Sequence, residues 1–250
     1  MASEERPVDP RHLEHDHHPR EIAKRLKLGP RVSYLRDWVY GGIDGTVTTF
    51  AVVAGVVGAS LSTRALLILG VANLLADGFS MAAANYSGTK AEIEEYEHVR
   101  NMEERHVEIT PEGEREEVRQ IFQAKGFEGE ALESAVSVIT EEKGRWIETM
   151  MTEEHGLPPI NRSPGKAALT TFFSFIACGS IPLLPFVLGL PASIQASTLM
   201  TGMTFFSIGS MRSRWSPSTW WRAGLETFAI GMSAATIAYV VGVLLGNVIQ

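Results

Sequence analysis

The sequence predicts an all-α integral membrane protein, with five transmembrane helices and a helical insert between the second and third. The first observation is where the charges lie. Residues 1–37 hold eight of the 22 Lys+Arg and seven of the 29 Asp+Glu, and residues 89–166 hold ten and nineteen. The second is what is left between them. Residues 167–211 run for 45 positions without a charge, and 223–250 contain only Glu226. A helix needs about 20 apolar residues to cross a hydrocarbon core of about 30 Å, and four stretches reach that length. The third is the Gly189-Leu190-Pro191 break inside the longest stretch, which divides it into two helices. A soluble globular fold is excluded.

Taken in order, residues 1–36 form a polar N-terminal arm expected to be cytoplasmic and partly disordered. Residues 37–89 hold the first two spans, near 38–60 and 64–88. Residues 90–165 form the insert, and residues 166–250 hold spans near 166–188, 192–211 and 222–248. Pro182 and Pro185 fall inside the third span, where a kink is expected and neighbouring helices must satisfy the freed backbone groups. Orientation follows Lys and Arg. With a cytoplasmic N-terminus, the arm, the insert and Arg212, Arg214 and Arg222 share one side. The other side receives only Arg64 and the C-terminus.

Composition excludes several function classes. A net charge of −7 argues against a nucleic-acid partner, which needs clustered positive charge. The one cysteine, Cys178, leaves no disulfide framework and no cysteine-rich metal site. No apolar run follows Met1, so no cleaved secretory signal is expected.

The first span carries small residues at close to helical spacing: Gly41 and Gly45, then Ala51, Gly55 and Ala59. Such a stripe lets helix backbones approach closely, and its partner is either another span or a second copy of the chain. Asp44 lies about two turns into the same span, between glycines. An ionisable group at that depth is costly and marks a pathway, a pair or a proton relay. On the second span Asp77 and Met81 share a face at i, i+4. Hard oxygen beside a soft thioether suits a borderline divalent transition metal better than magnesium or calcium.

The insert reads as helices. The second span continues without a breaker to about Ile109, Thr110-Pro111 opens a helix that ends at Gly126, and others run from 129 to Gly144 and from Arg145 to His155. Metal-ligand side chains recur at helical spacing: Glu103 with His106, Glu114 with Glu117, and Met150 and Met151 with Glu154. Taken one pair at a time, a Glu-rich face is solvated surface and a Met pair is core. The net charge of −9 over residues 89–166 is what concentrates cations there. Glu95/His98 and Glu103/His106 also invite a di-iron reading, but that site takes its Glu-x-x-His pairs from two helices. His12, His15, His17 and His18 of the arm offer at most loose metal binding.

Arg36-Asp37-Trp38, Gly42-Ile43-Asp44-Gly45, Gly78-Phe79-Ser80-Met81, the Glu-rich insert, Met150-Met151 and Leu183-Leu184-Pro185 together resemble the vacuolar iron transporter family in order and spacing. The resemblance implies a homodimer of five-helix protomers that exports cytosolic Fe²⁺ and similar divalent metals in exchange for protons. It implies a pathway lined by an Asp of the first span and a Met of the second, here Asp44 and Met81, with Asp37 at the entrance. It also implies a cytoplasmic metal-binding domain whose ligands fall on Glu103, His106, Glu114, Glu117, Met150, Met151 and Glu154. His106 stands where the family has a carboxylate, keeping a ligand but removing a negative charge.

The expected function is thus a proton-coupled transporter of Fe²⁺, with Mn²⁺ as a second cargo, and not an enzyme. No permanent cofactor is implied. The partners are the bilayer, metal ions, protons and a second copy, and the expected address is a bacterial plasma membrane rather than a vacuole. The rival reading is a membrane-anchored metal sensor or ferroxidase that uses the insert alone, and a third is a metal channel.

Overall fold

The computed structural model describes residues 16–29, 32–215 and 217–249, and among them it is helical with no strand. The described residues of Met1–Ser33 and those of Tyr34–Gln250 form two separate units. In the first, α1 (Pro19–Leu28) starts with Pro19 in its first turn, where a missing N–H is tolerated, and Gly29 ends it at φ 65°. The arm therefore contains a ten-residue helix. The His18 side chain accepts from the Arg20 amide at 3.4 Å, so one of the arm's histidines caps a helix. His12 and His15 lie outside the described residues.

The second unit begins with α2 (Leu35–Gly58) and α3 (Thr63–Ile109). Ser62 caps α3 through the Ala65 amide at 3.2 Å, and nothing breaks the helix for 47 residues. At 1.5 Å per residue it is about 70 Å long, far more than a bilayer core. The insert follows as α4 (Pro111–Ala124), α5 (Gly129–Thr140) and α6 (Lys143–Glu153). Then come α7 (Pro164–Ser180), a 3₁₀ turn at Ile181–Leu183, the short α8 (Leu184–Val187), α9 (Ser193–Arg212) and α10 (Trp220–Ile249).

Four helical segments are long and apolar enough to cross a membrane: Leu35–Gly58, Thr63–Ile109, Pro164–Val187 and Trp220–Val248. The other expected span, α9, has 20 residues but carries hydroxyls along its length, which lowers its apolarity. Several of them are spent on backbone. Thr198 and Thr204 donate to carbonyls one turn back, while Ser197 donates to the Pro182 carbonyl at 2.7 Å and Ser193 to Pro185 at 3.2 Å. At Pro182 the helix is interrupted by the 3₁₀ turn, and serines of α9 bond the carbonyls of both prolines.

The small-residue stripe of α2 is used within the chain. A Cβ on Gly179 of α7 would lie 2.7 Å from the Gly45 carbonyl, and one on Gly242 of α10 would lie closer still to the Gly55 carbonyl. The stripe thus seats α7 near its start and α10 near its end. Phe50, Val53, Leu66, Leu74, Phe175 and Leu183 close the core between these helices. Cys178 is free and buried in a separate cluster with Val39 and Ile208.

The insert has its own core of Val107, Val118, Leu132, Val136, Trp146, Ile147, Met150 and Met151. Some of its helix ends differ from the sequence reading. Thr110 is the N-cap residue of α4, its carbonyl accepting from the Gly113 and Glu114 amides, while its hydroxyl donates backwards to the His106 carbonyl at 3.2 Å, closing α3. Helix α4 stops at Ala124, and Gly126 at φ 92° carries the turn that follows. Helix α5 stops at Thr140 instead of Gly144, because Arg145 folds back to donate to the Val138 carbonyl at 2.6 Å. Gly144 is thereby left in the first turn of α6.

Candidate metal centre

Where α3 runs out, Glu103 and His106 face α4 and the end of α6. Glu103 is 2 % exposed and Glu114 is 4 % exposed, although carboxylates are rarely buried without a partner. His106 Nδ1 lies 3.4 Å from Glu114 Oε1 and 3.9 Å from Glu103 Oε1. From the other side, His155 Nε2 lies 3.0 Å from Glu103 Oε1 and 3.8 Å from Glu154 Oε2. Two triplets result, Glu103/His106/Glu114 and Glu103/Glu154/His155, each with ligand atoms within 4.8 Å of one another. Glu103 belongs to both.

The electrostatics are unfavourable without a cation. Glu103 Oε2 and Glu114 Oε2 are buried with no hydrogen-bond partner among the described residues. An unmatched buried carboxylate oxygen carries a desolvation penalty. Burial first, then the charges of Glu117, Glu103 and Glu154, push the Glu114 carboxyl up to about 7. Burial and then Glu117 also raise Glu154, with His155 and His106 pulling the other way. Glu117 itself is exposed and acts on the cluster through its charge. A divalent cation fits this donor set: oxygens and imidazole nitrogens suit the first-row metals.

Met150 and Met151 are both fully buried in the insert core. Glu154 caps α6, and the amides of Glu154 and His155 both donate to the Met150 carbonyl, at 3.0 Å and 3.3 Å, which ties both residues to the end of that helix. The Glu95/His98 pair does not join the cluster. Both side chains are exposed, and both Glu-x-x-His pairs sit on the single helix α3, so the four-helix di-iron arrangement is absent among the described residues.

In the apolar part of the fold, Asp44 of α2 and Asp77 of α3 are both half-buried. The Asp44 backbone carbonyl accepts from Thr48 at 2.8 Å, while its carboxylate has no hydrogen-bond partner among the described residues. Met81 packs at the edge of the cluster built around Phe50 and Phe175. Asp37 is different. It is 1 % exposed, and Arg162 Nη2 and Asn85 Nδ2 both donate to it, at 2.7 Å and 2.9 Å. Asn85 also donates to Thr171 Oγ1 at 2.7 Å, and the Ser163 amide donates to the Tyr34 hydroxyl at 3.0 Å. Asp37 is thus the centre of a polar knot joining α2, α3 and α7.

A model of the VIT family matches residues 35–243, which takes in this cluster and all the helices around it. The chain belongs to the VIT family. Among its relatives in that family is a vacuolar iron transporter from Toxoplasma gondii, 35% identical over 228 residues, or 86% of this chain and 76% of that protein. The vacuolar iron transporter of Plasmodium berghei is 30% identical over 85% of this chain and 82% of its own. Vacuolar iron transporter 1 of Arabidopsis thaliana is 30% identical over 90% and 88%. Within this VIT-family chain, three residues enter that the sequence reading did not single out. His155, just beyond the end of α6, is a cluster member that the sequence presents only as the close of a helix. Arg162 and Asn85 carried no signal.

Proposed function

We propose that this chain is a proton-coupled transporter that moves divalent metal, Fe²⁺ first and Mn²⁺ second, out of the cytosol. It is a transporter and not an enzyme, as the names of its family relatives indicate. The observation that carries the reading is a pair of buried carboxylates whose Oε2 atoms, on Glu103 and Glu114, have no hydrogen-bond partner among the described residues and whose Oε1 atoms lie against His155 and His106. In the proposed arrangement α9 is the remaining span, giving five. The N-terminus and the insert share the cytoplasmic side, and two copies form the pathway.

Metal is gathered on Glu103, His106, Glu114, Glu154 and His155, with Glu117 adding charge and Met150 and Met151 soft sulfur. It then passes Asp37 to Asp44, Asp77 and Met81. Asp44 holds metal or proton in turn, and protonation lowers the cost of that carboxylate in apolar surroundings. One group then couples two opposite flows.

The test is flux. Purified protein in proteoliposomes, given Fe²⁺ or Mn²⁺ with a pH-sensitive dye inside, should take up metal and move protons the other way. Metal flux with no proton movement would make it a channel. Metal binding with no flux would leave the insert as a sensor on an anchor.

A further inference from the structure

Helix α1 is not used by the transport reading, and its surface is organised. Ile22 and Leu26 lie at i, i+4 with Pro19 and Ala23 beside them on one face. Arg20, Lys24 and Lys27 line one flank of that face and Arg25 lines the other. Glu21 and Leu28 fall on the opposite side. None of the ten residues is buried, and Leu26 is 72 % exposed. An apolar stripe bordered by cations, on a helix with no buried residue, is the pattern of a helix that lies in a membrane interface.

We propose that α1 rests on the surface of an anionic bilayer, with Ile22, Ala23 and Leu26 entering the headgroup–acyl boundary and its Lys and Arg side chains contacting lipid phosphates. Charge decides the occupant. Four cations against one carboxylate give the helix a net charge of +3, in a chain whose net charge is −7. A helix that joins an apolar stripe to flanking cations finds both complements together, apolar boundary and negative charge, in an anionic leaflet. In sequence, six residues separate α1 from α2, so the tether between the two helices is short. Long basic side chains along the border of the apolar face can keep their charges at headgroup level while their stems cover apolar surface. The proposal rests on α2 crossing the membrane, and not on what the protein carries.

The experiment uses the full chain in lipid nanodiscs. Cys178→Ser removes the one native cysteine, and an environment-sensitive fluorophore is attached at Ala23→Cys on the apolar face or at Leu28→Cys on the opposite side. Quenching by lipid carrying a spin label on its acyl chain should be about twofold or more stronger at position 23 than at 28 in discs with phosphatidylglycerol. The difference should shrink in phosphatidylcholine alone, and Lys24→Glu/Lys27→Glu should lower the surface-bound fraction by about fivefold or more. Equal quenching at the two positions in both lipids would overturn the proposal. So would an asymmetry indifferent to lipid charge and to the Lys24→Glu/Lys27→Glu change, since protein would then cover the face. Either outcome leaves the flux measurement untouched.

Discussion

Arg162 places one guanidinium nitrogen 2.7 Å from both carboxylate oxygens of Asp37, joining residues 125 positions apart. The carboxylate is enclosed and the guanidinium partly exposed, and Arg162 Nε is itself buried without an acceptor among the described residues. In the proposed pathway a cation arriving at Asp37 meets a tethered cation already there.

Arg162→Ala leaves a buried carboxylate without its counter-charge. Losing one partner of a buried pair costs about 3–5 kcal/mol, and the partial exposure of Arg162 points to the lower end. Thermal unfolding of the detergent-solubilised protein should show the loss. Asp37→Asn/Arg162→Ala should recover most of it, because Asn needs no counter-charge. A double variant as unstable as Arg162→Ala would mean that Arg162 acts through packing.

The pH dependence of the insert follows from Glu114. Its folded value, about 7, is above its ordinary 4.5, so between these pH values the folded protein holds a proton that the unfolded chain has released. The contribution to metal-free stability is fully present below about 4.5 and is lost as pH rises towards 7. A bound cation reverses the sign by displacing that proton. Calorimetric Co²⁺ affinity should therefore weaken by up to about tenfold per unit as pH drops below 7. Glu114→Gln should flatten the profile, and an unchanged slope in that variant would assign the proton elsewhere.

His155 gives a sharper test of the cluster. If its imidazole serves the metal, His155→Ala should weaken Co²⁺ binding by about 10- to 100-fold and alter the visible spectrum of the bound ion. A residue that only ends α6 would change the melting temperature and leave both affinity and spectrum as they were.

Much of this was readable beforehand, for physical reasons. The 47-residue α3 follows from a run with no proline and no turn signal, in which apolar sequence passes directly into charged sequence. Glu103, His106 and Glu114 were readable because helical spacing and one tight turn set their relation locally. The end of α5 was not, because the group that terminates it is the Arg145 side chain folding back over seven residues. The Asp37 knot was hidden for the same reason at longer range: Arg162 reads as an ordinary loop cation until the fold brings it to α2. The glycine stripe announced close packing but not its partner, which the shapes of α7 and α10 decide.

The central claim is that one intramembrane carboxylate alternates between metal and proton. Asp44→Asn keeps the side-chain volume and removes the exchangeable charge, so it should fold as the parent does by size-exclusion profile and melting temperature. In proteoliposomes with an imposed pH gradient it should take up no Fe²⁺ and move no protons. Uptake at the parent's rate in that variant would contradict the account.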